Sequence, residues 1–441
     1  FKGARAALEL FLADTEREIA RLGASINRAS LISSLPPETL SEIFALCCQP
    51  KYNAIGGVDN QGICPLRLSA VCKAWRDLAW TTRRLWSVII LVKPNPHAFH
   101  LEEILASWIK RAGNELLSIR YEAQCTSLLQ RLTQETSKWM NVSISLASES
   151  SFVIKECKYF PLLQHLSICI RAESPRSDFV GGFEYLDIFN TASLPKITRL
   201  HVPKYLYCFE RDPMWLQLRT FSVGTIGHEG LCKILDFARF LEVFDANSLE
   251  AHFSYKPPTV IHSNLRCLIL KEVDSTVLNE LLGKPDINAP NLEDLTIEIY
   301  RGNPESTSLS NFVASLHKLR RFRVKYDNDH EDPDWIFNWL LNIPSLTELD
   351  VSLSASTSAK IVFALGNPTS TETKTEYLPL LVNLTITVGR YLAANLTMKD
   401  IAEMVEYRSS GLSPSISRLK SALICMPQLT IEDFKALRTA S

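Results

Sequence analysis

The sequence predicts an α/β protein in which a short helical module precedes a long solenoid of parallel strands and outer helices. Three observations carry this. At 441 residues the chain exceeds one ordinary core, since single cores stop growing at about 250–300 residues. An apolar phrase recurs through most of the length at separations of 21 to 35 residues, the mark of a repeat array. Ahead of the array, residues 1–86 place apolar side chains at helical spacing, with one interruption. The expected division is an amphipathic helix over 1–30, a helical module over 31–88 and the array over 89–441.

The composition belongs to a folded protein, with 46% hydrophobic and 22% charged residues. A net charge of −1 gives no global field toward nucleic acid or anionic lipid, so neither is expected as a partner. No apolar run reaches the roughly 18–20 residues that span a bilayer, and no cationic start followed by an apolar stretch marks a signal peptide. The expected location is therefore cytoplasmic, nuclear or both. Eleven cysteines without paired CxxC spacing read as buried reduced thiols, and neither a metal nor a cofactor is expected. The sequons at Asn141, Asn383 and Asn395 are read as accidental.

In chain order, Leu8, Phe11, Leu12, Ile19, Leu22 and Ile26 form a helical stripe between Glu and Arg residues. A helix packed on the next module is preferred over a coiled-coil homodimer segment, because fewer than four heptads are visible. Pro36 and Pro37 then suit the first turn of a helix whose Leu40, Ile43 and Phe44 share a face. Residues 49–64, rich in Gly, Asn and Pro, read as a loop. Helical spacing resumes through Leu66, Leu68, Val71, Cys72, Trp75, Leu78 and Ala79 and closes at Leu85 and Trp86.

The repeat phrase is apolar, two residues, apolar, one residue, apolar. Its nine clearest copies are Leu163/Leu166/Ile168, Ile197/Leu200/Val202, Leu218/Phe221/Val223, Leu241/Phe244/Ala246, Leu265/Leu268/Leu270, Leu292/Leu295/Ile297, Leu319/Phe322/Val324, Leu346/Leu349/Val351 and Leu381/Leu384/Ile386. Weaker copies are Leu85/Val88/Ile90, Leu116/Ile119/Tyr121, Trp139/Val142/Ile144 and Leu419/Ala422/Ile424. This phrase at this period is the signature of leucine-rich repeats, here degenerate, since the usual Asn or Cys after it is absent from most copies. Helix-like returns over 230–240, 277–282, 309–317 and 333–341 predict a horseshoe with strands on the inner wall.

Leu35, Pro36, Leu40, Ile43 and Phe44, followed by Leu68, Val71, Trp75 and Leu85-Trp86, resemble the F-box family over about 50 residues. Together with the N-terminal helix and the irregular repeats, the chain resembles the large group of F-box-like proteins of mushroom-forming fungi. The resemblance implies docking onto a Skp1-type adaptor and, through it, onto a cullin-RING ubiquitin ligase, with the repeats holding an unknown protein substrate. Leu35, Pro36, Leu40, Ile43, Phe44, Leu68, Val71 and Trp75 are then the adaptor-binding candidates. A module this small cannot bury every apolar side chain it carries, which is compatible with a partner. Arg67, Lys73, Arg76, Arg83 and Arg84 against Asp77 make the stretch locally basic, either as a solvated face or as a steering patch for an acidic adaptor.

Strand alternation turns Asp294, Thr296 and Glu298, then Arg321, Arg323 and Lys325, then Glu348, Asp350 and Ser352 toward the inner wall. These residues read either as an internal ladder of cross-strand pairs or as a charged substrate face. Two longer intervals, 171–191 and 354–377, read as disordered surface loops in preference to binding insertions.

An enzyme is not expected. The chain has no phosphate-binding GxxxxGK[ST] loop, GxSxG elbow or HExxH helix. Gly224, Gly227 and Gly230 are misplaced for a dinucleotide fingerprint and suit a strand-to-helix turn, and His97 and His100 lack partners at metal spacing. Against the ligase receptor stands one alternative, a non-degradative leucine-rich-repeat scaffold.

Overall fold

A computed structural model describes the chain apart from residue 1 and residues 49–63, 93–99, 124, 148–149, 158, 172–193, 207–212, 251–259, 284–286, 303, 305, 327–333, 367–376, 389–395, 411–415 and 426–441. The predicted loop at 49–64 and the first long interval therefore lie almost wholly outside the described residues, as does His97. The chain divides into two compact units, Phe1–Glu173 with Ser193–Pro195, and Ser174–Ala192 with Lys196–Ser441. No described helix is long and apolar enough to cross a membrane.

The first unit opens with a 28-residue helix, α1 (Lys2–Ala29). Three short helices follow: α2 (Pro37–Cys47), with Pro37 in its first turn where the missing N–H costs nothing, α3 (Pro65–Ser69) and α4 (Lys73–Thr81). The Cys72 sulfur caps α4 by accepting from the Trp75 amide at 3.5 Å. Leu40, Phe44, Leu68, Ala79, Leu85 and Trp86 are the buried core of this module. Phe44 packs on Trp75 with ring centroids 4.8 Å apart, and the Trp86 indole donates to the Ala79 carbonyl at 2.7 Å.

Strands β1 (Val88–Leu91), β2 (Leu117–Tyr121), β3 (Trp139–Ala147) and β4 (His165–Arg171) then pair in parallel and in sequence order. Helices α5 (Leu101–Ala112), α6 (Thr126–Thr133) and α7 (Ser151–Lys155) connect them. Trp108 of α5 meets Trp86 edge to face at 4.8 Å, and the Arg111 guanidinium lies over both Trp80 and Trp86.

In the second unit β5 (Arg199–Leu206), β6 (Thr220–Gly227) and β7 (Val243–Glu250) continue the repeat grammar, with α8 (His228–Phe237) between the last two. A short parallel pair, β8 (Val260–Ile261) and β10 (Ile287–Asn288), stands apart from the main sheet. The main ladder runs on through β9 (Cys267–Asp274), β11 (Asp294–Arg301), β12 (Arg321–Tyr326), β13 (Glu348–Leu353), β14 (Asn383–Val388) and β15 (Ser421–Cys425). The returns are α9 (Ser275–Leu278), α10 (Ser306–Ser315), α11 (Asp334–Leu341), α12 (Ala355–Gly366) and α13 (Met398–Ser410). A right-handed strand–helix–strand unit needs such returns because parallel neighbours cannot be joined by a tight turn.

The phrase sets the register. Its second position stacks as Leu200, Phe221, Phe244, Leu268, Leu295, Phe322, Leu349 and Leu384, and its third as Val202, Val223, Ala246, Leu270, Ile297, Val324, Val351 and Ile386. All sixteen side chains are buried. A further apolar row, Ile226, Leu249, Val273, Ile299, Tyr326, Leu353 and Val388, lies beyond the phrase and is equally buried.

Four expectations are corrected. The first weak copy is not Leu85/Val88/Ile90: Ile89 and Leu91 pair with Ile119 and Tyr121, so the copy is Trp86/Ile89/Leu91, one residue later. A one-residue slip exchanges the faces of a strand, and four adjacent apolar residues left the choice open in the sequence. In the second copy the first position is filled by buried Leu117 through a register shift, while Leu116 is exposed. The interval 354–377 is not a loop through its first half, because α12 buries Ala355, Ile361, Val362 and Leu365. Finally, α1 is not packed on the next module: every side chain from Ala4 to Leu22 is exposed.

Candidate functional site

The structure separates the adaptor candidates into two sets. Leu40, Phe44 and Leu68 are buried core residues of the module. Pro36 and Val71 are exposed, and Leu35, Ile43 and Trp75 are partly so. Beside them lie apolar side chains that the motif did not single out: Leu46 (77% exposed), Leu66 (47%) and Trp80 (44%). These three lie on helices of five to eleven residues.

The basic residues of this module are only partly available. Arg84 pairs with Glu42 at 2.5 Å, and the Arg76 Nε donates to the Ser69 carbonyl at 2.8 Å. Lys73 and Arg67 remain on the surface.

The predicted inner-wall charges fall in register, Asp294 beside Arg321 beside Glu348, and Thr296 beside Arg323 beside Asp350. Asp294 is 6% exposed and lies 3.2 Å from the Arg321 Nε and 4.0 Å from the Arg323 Nη1. Asn383 donates to Glu348 at 3.3 Å. The ladder extends toward earlier strands, where Ser222 donates to Asp245 at 3.2 Å and Lys271 lies 3.8 Å from the same carboxylate. For Asp294, Arg321, Arg323 and Glu348 the internal reading is therefore the one the geometry favours. Burial, and then the Asp294 charge beside it, pushes the Cys267 thiol up to about 11.

Glu298 and Lys325 are neighbours in register on β11 and β12. They line a cleft of about 550 Å³ at the C-terminal ends of β7, β9 and β11, where ligands of parallel α/β sheets are commonly held. Glu250, Glu272, Asp274 and exposed Tyr300 complete its charged and aromatic lining. Two local features build it. Leu270 to Val273 spans one residue more than the paired Ile297 to Ile299, and this bulge contains Glu272 at a positive φ of 45°. Asp274 caps α9 by accepting from the Thr276 amide at 2.8 Å. The sequence offered no signal for the bulge, and so Glu250, Glu272, Asp274 and Tyr300 were missed.

Gly227 ends β6 and precedes α8 at a strand-to-helix junction, with Gly224 inside the strand and Gly230 inside the helix. Asn141 and Asn383 lie on strands, while Asn395 is outside the described residues. No group of three metal-ligating side chains occurs among the described residues. Compared with known proteins, the chain matches no family model and no curated protein.

Proposed function

We propose that the chain is a substrate receptor of an SCF-type ubiquitin ligase: the helical module docks on a Skp1-type adaptor, and the repeat array holds a protein target. The observation that carries this is the module itself. It completes a core around Phe44, Leu68 and Trp86 yet leaves Leu46, Leu66, Val71 and Trp80 in solvent. Desolvating such side chains is the usual source of interface affinity, with a few anchors supplying most of it. Ubiquitin transfer belongs to the partner subunits, and the cleft of Glu272, Glu298 and Tyr300 suits a cationic segment of the target, held by carboxylates and an aromatic face.

Co-purification tests the proposal. The full chain co-expressed with adaptor and cullin should elute with both, and Leu46→Asp or Val71→Asp, changes at exposed positions, should release it from both. A chain that elutes alone overturns the receptor reading; a complex holding adaptor but no cullin assigns the chain to a non-degradative scaffold.

A further inference from the structure

The α1 helix extends over 28 residues, about 42 Å at 1.5 Å per residue, with nothing in the described chain packed along residues 4–22. Helices of single-chain domains draw most of their stability from burying an apolar face, and this one carries such a face in solvent: Leu8, Leu12, Ile19, Leu22 and Ile26 are all more than half exposed. Their order follows a heptad. Positions 5, 12, 19 and 26 alternate with 8, 15, 22 and 29 at spacings of three and four. The first series holds Arg5, Leu12, Ile19 and Ile26, and the second Leu8, Thr15, Leu22 and Ala29. Ile19 and Ile26 at the first and Leu8 and Leu22 at the second follow the packing that favours two parallel strands. The Thr15 hydroxyl donates to the Phe11 carbonyl at 2.7 Å, leaving its methyl for the seam, and Arg5 is paired with Glu9 at 3.0 Å. Leu10 falls outside the seam.

We propose that α1 pairs with α1 of a second copy of this chain as a parallel, in-register two-stranded coiled coil. The flanking charges choose both the occupant and its direction. In the parallel pair the flanking residues that face each other are Ala4 with Glu9, Phe11 with Glu16, and Glu18 with Gly23, none of like charge; within the seam only the first layer sets Arg5 against Arg5, each neutralised by Glu9 of its own helix. An antiparallel pair layering the same apolar residues sets Glu16 against Glu16 and Glu18 against Glu18. Glu9 and Glu18 are already paired within their own helix, to Arg5 and Arg21, so the flanks do not call for a foreign basic helix. The dimer carries two copies of the helical module and two clefts, which raises the avidity of the receptor for any target with repeated motifs. This inference does not rest on the adaptor reading.

Light scattering on the full chain at micromolar concentration should give twice 49.7 kDa. The double variant Ile19→Asp, Ile26→Asp, on exposed positions, should halve that mass with an unchanged thermal midpoint for the sheet, while Arg17→Ala on the opposite face should leave it alone. Oxidised Leu22→Cys chains should cross-link position 22 to position 22, as peptide mapping would show. A monomeric wild-type chain overturns the proposal, as does a dimer indifferent to the double variant. Preferential linkage of a Leu12→Cys chain to a Leu22→Cys chain overturns the parallel arrangement.

Discussion

Three buried groups show how single residues hold the array together. Arg408 is 2% exposed; its Nε donates to the Leu365 carbonyl and its Nη1 to that of Leu378, both at 3.0 Å, and its Nη2 to that of Tyr377. It thus closes the C-terminal end of α12 and ties Tyr377 and Leu378 to α13. Arg408→Ala leaves those carbonyls without their donor and should lower the unfolding free energy by about 3 kcal/mol or more in a urea titration. Asp294 forms ion pairs with two half-exposed arginines, at 3.2 Å and 4.0 Å, so Asp294→Ala should cost about 1 kcal/mol, and Arg323→Ala, whose contact is 4.0 Å and half in solvent, about 0.5 kcal/mol or less by the same titration. His262 accepts from the Leu265 amide through Nδ1 at 3.0 Å, which leaves Nε2 to donate to the Ala238 carbonyl at 2.9 Å. Burial holds its pKa below 6.5. The unfolded chain therefore takes up the proton first, and stability is complete above pH 6.5 and falls as the pH drops below it, by at most about 1.4 kcal/mol per pH unit. His262→Gln should lose less stability than the wild-type chain between about pH 7.5 and about pH 5.

At the scale of elements, the phrase was legible because two stacked rows of aliphatic and aromatic side chains require a strict period-two alternation in every strand, whatever the length of the return. Leu268 and Leu295 sit in those rows without solvent contact, and Leu295→Ala should cost about 2–5 kcal/mol by urea denaturation. What escaped the sequence has equally physical causes. The runs around Ile89–Ile90 and Leu116–Leu117 gave two registers with the same apolar content, and only pairing decided between them. The residue just after each phrase start alternates Arg219, Glu242, Arg266, Glu293 and Arg320, and Arg219 pairs with Glu242 at 2.5 Å and Arg266 with Glu293 at 3.5 Å. That ladder becomes visible only after copies are stacked. The cleft depends on a bulge that no local motif announces, and Glu298 and Lys325 belong to its lining. Glu272→Arg and Glu298→Arg together should abolish capture of a target while leaving adaptor affinity within twofold; loss of both at once would remove the division of labour between module and array.

For the molecule as a whole, the division of roles follows from where the apolar surface goes. The strands and returns of the array bury theirs against neighbouring repeats, as solenoids do. The helical module and α1 do not: one keeps Leu46, Leu66, Val71 and Trp80 outside its core, and the other its whole stripe. In the sequence these two regions read as amphipathic helices, and which side chains were core and which were left over became readable only once α2–α4 were placed. The leftover surface of the module is the proposed docking site for the adaptor. Hydrogen exchange on the full chain, with and without purified Skp1-type adaptor, addresses it most directly. Exchange should slow within Pro37–Cys47, Pro65–Ser69 and Lys73–Thr81, with the strands of the second unit unchanged. Protection confined to the repeat strands, or no change anywhere at saturating adaptor, would contradict it.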